Sequence, residues 1–136
     1  MGAVKSLEPI ESRDDDAACA LARAAARAAD ELHARCIVAF TLSGEMARLL
    51  SRERSLTPIL ACARDLGTLR RLALVWGVRA IALERTRSVD DLFAFGERIA
   101  RLSRGLGSTS MAVLLAGKHE IRGGTYMLRI ARLKRS

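Results

Sequence analysis

Thr41, Ser43, Gly44 and Glu45 lie in the stretch FTLSGEMARLL (Phe40 to Leu50), which follows the apolar run CIVA and leads into a helical pattern. Where a strand gives way to a helix through a turn bearing hydroxyls and glycine, free backbone N–H groups and the positive end of the helix dipole converge on one point. That arrangement suits an anion. Thr41, Ser43 and Gly44, with the N–H groups of Glu45 and Met46, are the first candidate site: a phosphate cradle at the carboxyl end of a strand, the edge where open α/β sheets bind ligands. The same residues also make an ordinary helix cap. Glu45 in the first turn already complements the dipole and repels an incoming anion. The loop Lys118-His119-Glu120-Ile121-Arg122-Gly123-Gly124 is the second candidate. Lys118 and Arg122 are permanent cations, His119 is titratable, and Gly123 and Gly124 let the loop lie over a ligand at that edge. A solvated loop is the plain alternative.

Other chemistry-bearing residues have simpler explanations. GLGSTS (Gly105 to Ser110) follows a helix and precedes a strand, the reverse of the order a dinucleotide motif needs. His33 stands near a helix end with no second ligand at metal spacing. Asp14 to Asp16 and the Asp90-Asp91 pair fall at helix starts, where caps account for them. No nucleophile with a base beside it can be assembled, so no catalytic residue, metal site or cofactor is expected.

The chain has 136 residues, enough for one domain with a real core and too few for two ordinary ones. Half of the residues are hydrophobic and only 4% aromatic, so Ala, Leu, Val and Ile must build the core. The formal charge of +8 favours phosphorylated or acidic partners. Arginines spread along the helices beside carboxylates, with no aromatic platform for bases, argue against nucleic acid. Cys19, Cys36 and Cys62 are odd in number and form no C-x-x-C pair, which reads as reduced thiols in a core. Charge interrupts every long apolar stretch, and no signal peptide is apparent, so a cytoplasmic domain off the membrane is expected.

Residues 1–13 lack periodicity and contain Pro9; they read as a leader or linker remnant, with the folded domain over 14–136. The acidic triplet opens an Ala-rich helix from about Asp16 to Ala34, closed by His33 and Arg35. Strands are expected over Cys36 to Thr41, Pro58 to Ala63, Val78 to Leu83, Ser110 to Gly117 and Thr125 to Leu133. Between them come a helix from Glu45 to about Arg52, one capped by Asp65 and ending near Trp76-Gly77, and one opened by the Ser88-x-x-Asp91 capping box. Its apolar residues include Val89, Leu92, Phe93, Ile99 and Leu102. Alternating strands and helices predict a largely parallel sheet covered on both faces. The last connection is too short for a parallel crossover, so strand five should run antiparallel to strand four.

From about Asp15 to Leu133 the chain resembles the C-terminal domain of pyruvate kinase. FTLSGEMARLLSRER is similar to that family's strand, T-x-S-G turn and following helix. TPILACARDLGTLRRLALVWGVRAI, SVDDLFAFGERIA, MAVLLAG and GGTYMLRIARL follow in family order. The resemblance implies a three-layer α/β/α sandwich around a five-stranded mixed sheet with its last strand antiparallel, serving as an allosteric and assembly module. It implies a sugar-phosphate effector, or an inorganic anion, cradled by the turn that Thr41, Ser43 and Gly44 match, and a homo-oligomer. Met46 departs from the Ser or Thr often found in effector-binding members, Glu45 adds a negative charge, and the W-[KR]-P-G sequence of many members' second loop is absent. Pyruvate kinase chemistry belongs to a separate (β/α)₈ barrel of about 200 residues or more, for which this chain has no room. Weighed against a regulatory domain are an enzyme acting on a small phosphate ester and a basic nucleic-acid-binding domain.

Overall fold

The computed structural model describes residues 14–103, 110–117 and 126–133; the loop from Lys118 to Gly124 and residues 1–13 lie outside them. Nine elements follow one another: α1 (Asp14–Leu32), β1 (Ile37–Phe40), α2 (Glu45–Arg52), β2 (Ile59–Ala63), α3 (Leu66–Leu72), β3 (Val78–Ala82), α4 (Val89–Leu102), β4 (Met111–Ala116) and β5 (Met127–Arg132). The five strands form one sheet in the order β3-β2-β1-β4-β5. Ile37 pairs with Ile59 on one side and Val113 on the other, all parallel, and β5 returns antiparallel along β4, with Ala112 opposite Ala131.

The topology explains the layering. From β1 the chain steps to β2 and then β3, after which α4 carries it back across the sheet to β4. Right-handed crossovers that reverse their direction of travel put their helices on opposite faces. Side chains of α1 and α2 pack on Ile37, Ala39, Ile59, Val113 and Leu115, and Leu72 of α3 joins Ala47, Ala61 and Ala63 on that same face. The alternate residues Val38, Phe40, Leu60, Cys62 and Leu114 meet Leu92, Phe93, Phe95 and Ala100 of α4 on the other. All residues of β1 and β2 are buried, as expected for strands covered on both faces.

Small residues set the spacing between these layers. Ala22, Ala25 and Ala29 give α1 a flat buried stripe. At Gly96 an added Cβ would lie 2.6 Å from Phe40 Cζ and 2.7 Å from Leu114 Cδ2, so α4 rests on the sheet where only glycine fits. α1 ends with Ala34 N–H donating to the Ala29 carbonyl (2.9 Å) and His33 at φ 50°, a left-handed closure that gives His33 a structural place.

Ser88 Oγ accepts from Asp91 N–H (3.1 Å), as a capping box requires, but the Asp91 carboxylate accepts from Arg87 N–H (3.2 Å) rather than from Ser88. α3 stops at Leu72, short of the expected Trp76-Gly77. Its continuation is a tighter turn in which Leu74 N–H and Val75 N–H donate to carbonyls three residues back, ending at Gly77 with φ 73°.

Candidate functional site

In this strand order β1 is the switch point: its chain continues toward β2 on one side, while β4 arrives from the far edge on the other. Crevices at the carboxyl ends of strands flanking such a point are the usual ligand positions in open α/β sheets. The residues immediately beyond Phe40 are the Thr41-to-Glu45 turn, and β4 ends at Ala116, directly paired with Phe40. The turn therefore lies at the switch point of the sheet.

The turn is built by its own side chains. Thr41 N–H donates to the Cys62 carbonyl (3.0 Å), extending the β1–β2 ladder by one residue. Thr41 is buried, and its Oγ1 accepts from Gly44 N–H at 2.8 Å, while Ser43 Oγ accepts from Glu45 N–H at 3.3 Å. Gly44, at φ 91°, opens α2, and its carbonyl accepts the first helical bond from Arg48 N–H (3.1 Å). A side chain there would need a left-handed backbone and would meet Leu72 Cδ2 at 3.3 Å.

Two of the helix's first N–H groups thus already have hydroxyl partners. Among the described residues those of Met46 and Ala47 have no acceptor. The Met46 side chain is buried in the core and adds only its N–H to the turn. Glu45 is exposed and paired with Arg48 one turn on, at 3.8 Å. Chemically, the arrangement can hold an anion through backbone N–H groups. It offers no acid–base pair, and among the described residues no cluster of three His, Cys, Asp or Glu side chains is placed to hold a metal. Lys118, Arg122, Gly123 and Gly124, the second candidate cluster, lie outside the described residues.

Sequence reading missed what borders the turn. Thr68 of α3 is buried, and its Cγ2 would be 3.7 Å from a Cβ on Gly44. Its hydroxyl lies 3.1 Å from Asp65 Oδ2 and 3.4 Å from the Leu42 carbonyl, and it accepts from Arg71 Nη2 at 3.1 Å. One hydroxyl proton cannot serve both acceptors fully, and the shorter contact is to the carboxylate. The Thr68 N–H and then the Thr68 hydroxyl hold the Asp65 carboxyl below the usual range, with the Arg71 charge adding to them. The signal in the sequence was Asp65-x-x-Thr68 directly after β2, a cap whose helix must lie beside α2.

The thiols divide by location. Cys36 and Cys62 are buried and Cys19 is only partly so; all three are free. Burial pushes Cys62 up to about 12, with Cys36 nearby adding to the shift, and burial raises Cys36 as well. Neither is activated for chemistry.

Comparison with known proteins agrees with the architecture. Residues 19–131 match the family described as pyruvate kinase, alpha/beta domain. The pyruvate kinase of Lactococcus lactis is 36% identical over 107 residues, covering 79% of this chain and 21% of that enzyme. The pyruvate kinase of Methylorubrum extorquens is 34% identical over 119 residues, covering 82% of this chain and 24% of the enzyme. The structure of Cryptosporidium parvum pyruvate kinase in complex with ADP superposes with a TM-score of 0.76 at 24% identity, over 97% of this chain and 26% of that one. The chain thus spans 21–26% of the length of these relatives, and its 136 residues do not hold a (β/α)₈ barrel. With the mixed sheet, the switch-point turn and the match across 19–131 in agreement, the chain belongs to the pyruvate kinase family through its C-terminal α/β domain.

Proposed function

We propose that this chain is a regulatory and assembly module, without phosphotransfer activity of its own, that holds a phosphate-bearing or inorganic anion weakly at the Thr41-to-Glu45 turn. The observation that carries the reading is the pair of α2 N–H groups, on Met46 and Ala47, without acceptors among the described residues. They sit behind a left-handed Gly44 at the sheet's switch point. Binding is weak because the hydroxyls of Thr41 and Ser43 already take two of the four N–H groups, and because Glu45 stands beside the remaining two. Lys118 and Arg122 would supply the cations.

The assembly half of the reading is supported by β5, an outer strand of the sheet whose Ile130 is 48% exposed. In a larger enzyme that carried the catalytic barrel, such a module would couple an effector to subunit contacts.

Calorimetry with inorganic phosphate and a sugar bisphosphate tests the site. The expected result is saturable binding in the millimolar range; no heat with either ligand overturns the effector reading. A coupled assay with phosphoenolpyruvate, ADP, Mg²⁺ and K⁺ tests the non-catalytic half, where turnover surviving repurification would refute it.

A further inference from the structure

Each helix of the chain runs into a parallel strand: α1 into β1, α2 into β2, α3 into β3 and α4 into β4. All four helix ends therefore gather at the amino edge of the sheet, opposite the Thr41-to-Glu45 turn. Hydrogen bonds hold these connections side by side: Ile37 N–H donates to the Pro58 carbonyl (2.8 Å), Ile59 N–H to that of Gly77 (3.1 Å), and Arg35 Nη1 to that of Arg101 (3.1 Å). The three most exposed large apolar side chains among the described residues lie at this edge: Leu74 at 89%, Leu56 at 85% and Leu102 at 74%. Trp76, 52% exposed, stands with them, its ring under the Arg54 guanidinium at 4.3 Å and its carbonyl accepting from Ser51 Oγ at 2.7 Å. Single exposed leucines are ordinary, but a group at one edge marks a contact surface.

The uncompensated charge at this edge is of one sign. Arg52, Arg54, Arg79, Arg101 and Arg132 are exposed there, and among the described residues none has a carboxylate partner. Arg132 belongs with them because β5 runs antiparallel and sets it opposite Met111, the first residue of β4. The carboxylates nearby are occupied: Glu31 pairs with Arg27 (3.1 Å), Glu53 with Arg23 (3.6 Å) and Glu97 with Arg129 (3.9 Å), while Asp30 accepts from the Ser55 and Thr57 hydroxyls. Each helix end counts for roughly half a negative charge. Five arginines exceed the offset from four such ends and Asp30, so the edge is net positive.

That sign decides what can cover the patch. A second copy would set arginines against arginines. A nucleic acid would suit the arginines but leave Leu56, Leu74 and Leu102 without a role, since phosphates and stacked bases call for charge and aromatic rings. A rigid protein surface would need a matching pocket for each of these separate tips, whereas a fluid headgroup layer accommodates them as they stand. An anionic bilayer answers both features: leucine and tryptophan side chains enter the boundary between headgroups and acyl chains, and arginines meet the lipid phosphates and carboxylates above it. No helix among the described residues is long and apolar enough to cross a membrane, and the contact argued here is with its surface. We infer that the amino edge of the sheet docks on an anionic lipid bilayer through Leu56, Leu74, Trp76 and Leu102, with the arginines as its electrostatic rim.

Trp76 is the chain's one tryptophan, so its emission reports on this edge alone. The test is co-sedimentation of the 136-residue chain with phosphatidylcholine vesicles, with and without phosphatidylserine, alongside Trp76 fluorescence and its quenching by lipids brominated on the acyl chain. Phosphatidylserine vesicles are expected to carry the chain down, shift Trp76 emission to the blue and, when brominated, quench it; phosphatidylcholine alone should do none of these. The double variant Leu56→Ser, Leu74→Ser should partition at least about tenfold less, the loss of two leucines from the apolar layer. Arg79→Gln should cost roughly fivefold. All three positions are exposed, and quenching of the unaltered chain needs no variant. No phosphatidylserine-dependent sedimentation, sedimentation with Trp76 unshifted and unquenched, or unchanged partitioning of the leucine variant would each overturn the inference. Tighter binding to poly(U) than to the vesicles at the same salt would give the edge to nucleic acid and overturn it as well.

Discussion

Replacing Glu45 isolates the term that sets affinity at the switch-point turn. Its carboxylate is exposed and lies 3.8 Å from Arg48 Nη1, while the open donors are the N–H groups of the next two residues. An anion on those donors sits on the order of one helical pitch, ~5–6 Å, from the carboxylate. With an effective dielectric of about 40 to 80 at such an exposed site, like charges repel by roughly 0.7–1.7 kcal/mol per ligand charge. That corresponds to about threefold to fifteenfold in affinity. Arg48, on the same face, offsets part of the repulsion and pulls the figure toward the lower end. Glu45→Thr should therefore tighten inorganic phosphate binding by roughly threefold to fifteenfold in calorimetry at low salt, with the gap narrowing as ionic strength rises. Arg48→Ala in the parent should move affinity the other way, because it strips the carboxylate of its counter-charge. The Thr variant also gives up a favourable charge at the helix start, about 0.3–1 kcal/mol of stability, so it should melt slightly earlier and still fold. Equal and negligible heats for parent and variant would mean that the turn is only a cap, and that its open N–H groups are satisfied by water.

Gly96→Ala should lower the urea midpoint without changing the slope: overpacking against buried Phe40 and Leu114 costs about 1–3 kcal/mol, while the helix regains about 0.5–1 kcal/mol from replacing glycine; a stabilised variant would show that α4 does not rest this closely on the sheet. Cys62, pushed up to about 12 by burial, keeps its proton when folded while an unfolded thiol loses its own near 8.5. Its contribution to stability is thus complete below that lower value and lost as pH rises toward 12. Unfolding free energy should fall on the alkaline side, less steeply in Cys62→Ala, and iodoacetamide at pH 8 should label Cys19 well before Cys36 or Cys62; equal labelling of the native protein would refute the burial. Ile130→Lys on the outer strand should shift the chain toward monomer in sedimentation at tens of micromolar, and a parent that is monomeric there would count against β5 as an interface.

The local elements were legible because their signals are local. Each apolar run between turn residues became a strand within one or two positions, and Asp65 and Ser88 are the caps their spacing announced. What escaped depends on contacts between elements. Thr68 borders Gly44 only because consecutive right-handed crossovers place α3 beside α2, which no spacing within either segment encodes. The early stop of α3 at Leu72 and the diversion of the Asp91 carboxylate to Arg87 are likewise settled by where the neighbouring chain runs. The turn itself shows the difference most clearly. Hydroxyls at Thr41 and Ser43 read in sequence as donors for a ligand, yet in the fold both accept from the turn's own N–H groups, so the residues that mark the site also consume half of its backbone donors. An anion must then rely on Met46 and Ala47 N–H, on any proton Ser43 can still offer, and on charge brought from outside α2. Affinity at this place would consequently be governed by charge, with Glu45 opposing an anion and any cation outside α2 favouring it, while the turn's backbone determines where the anion would sit.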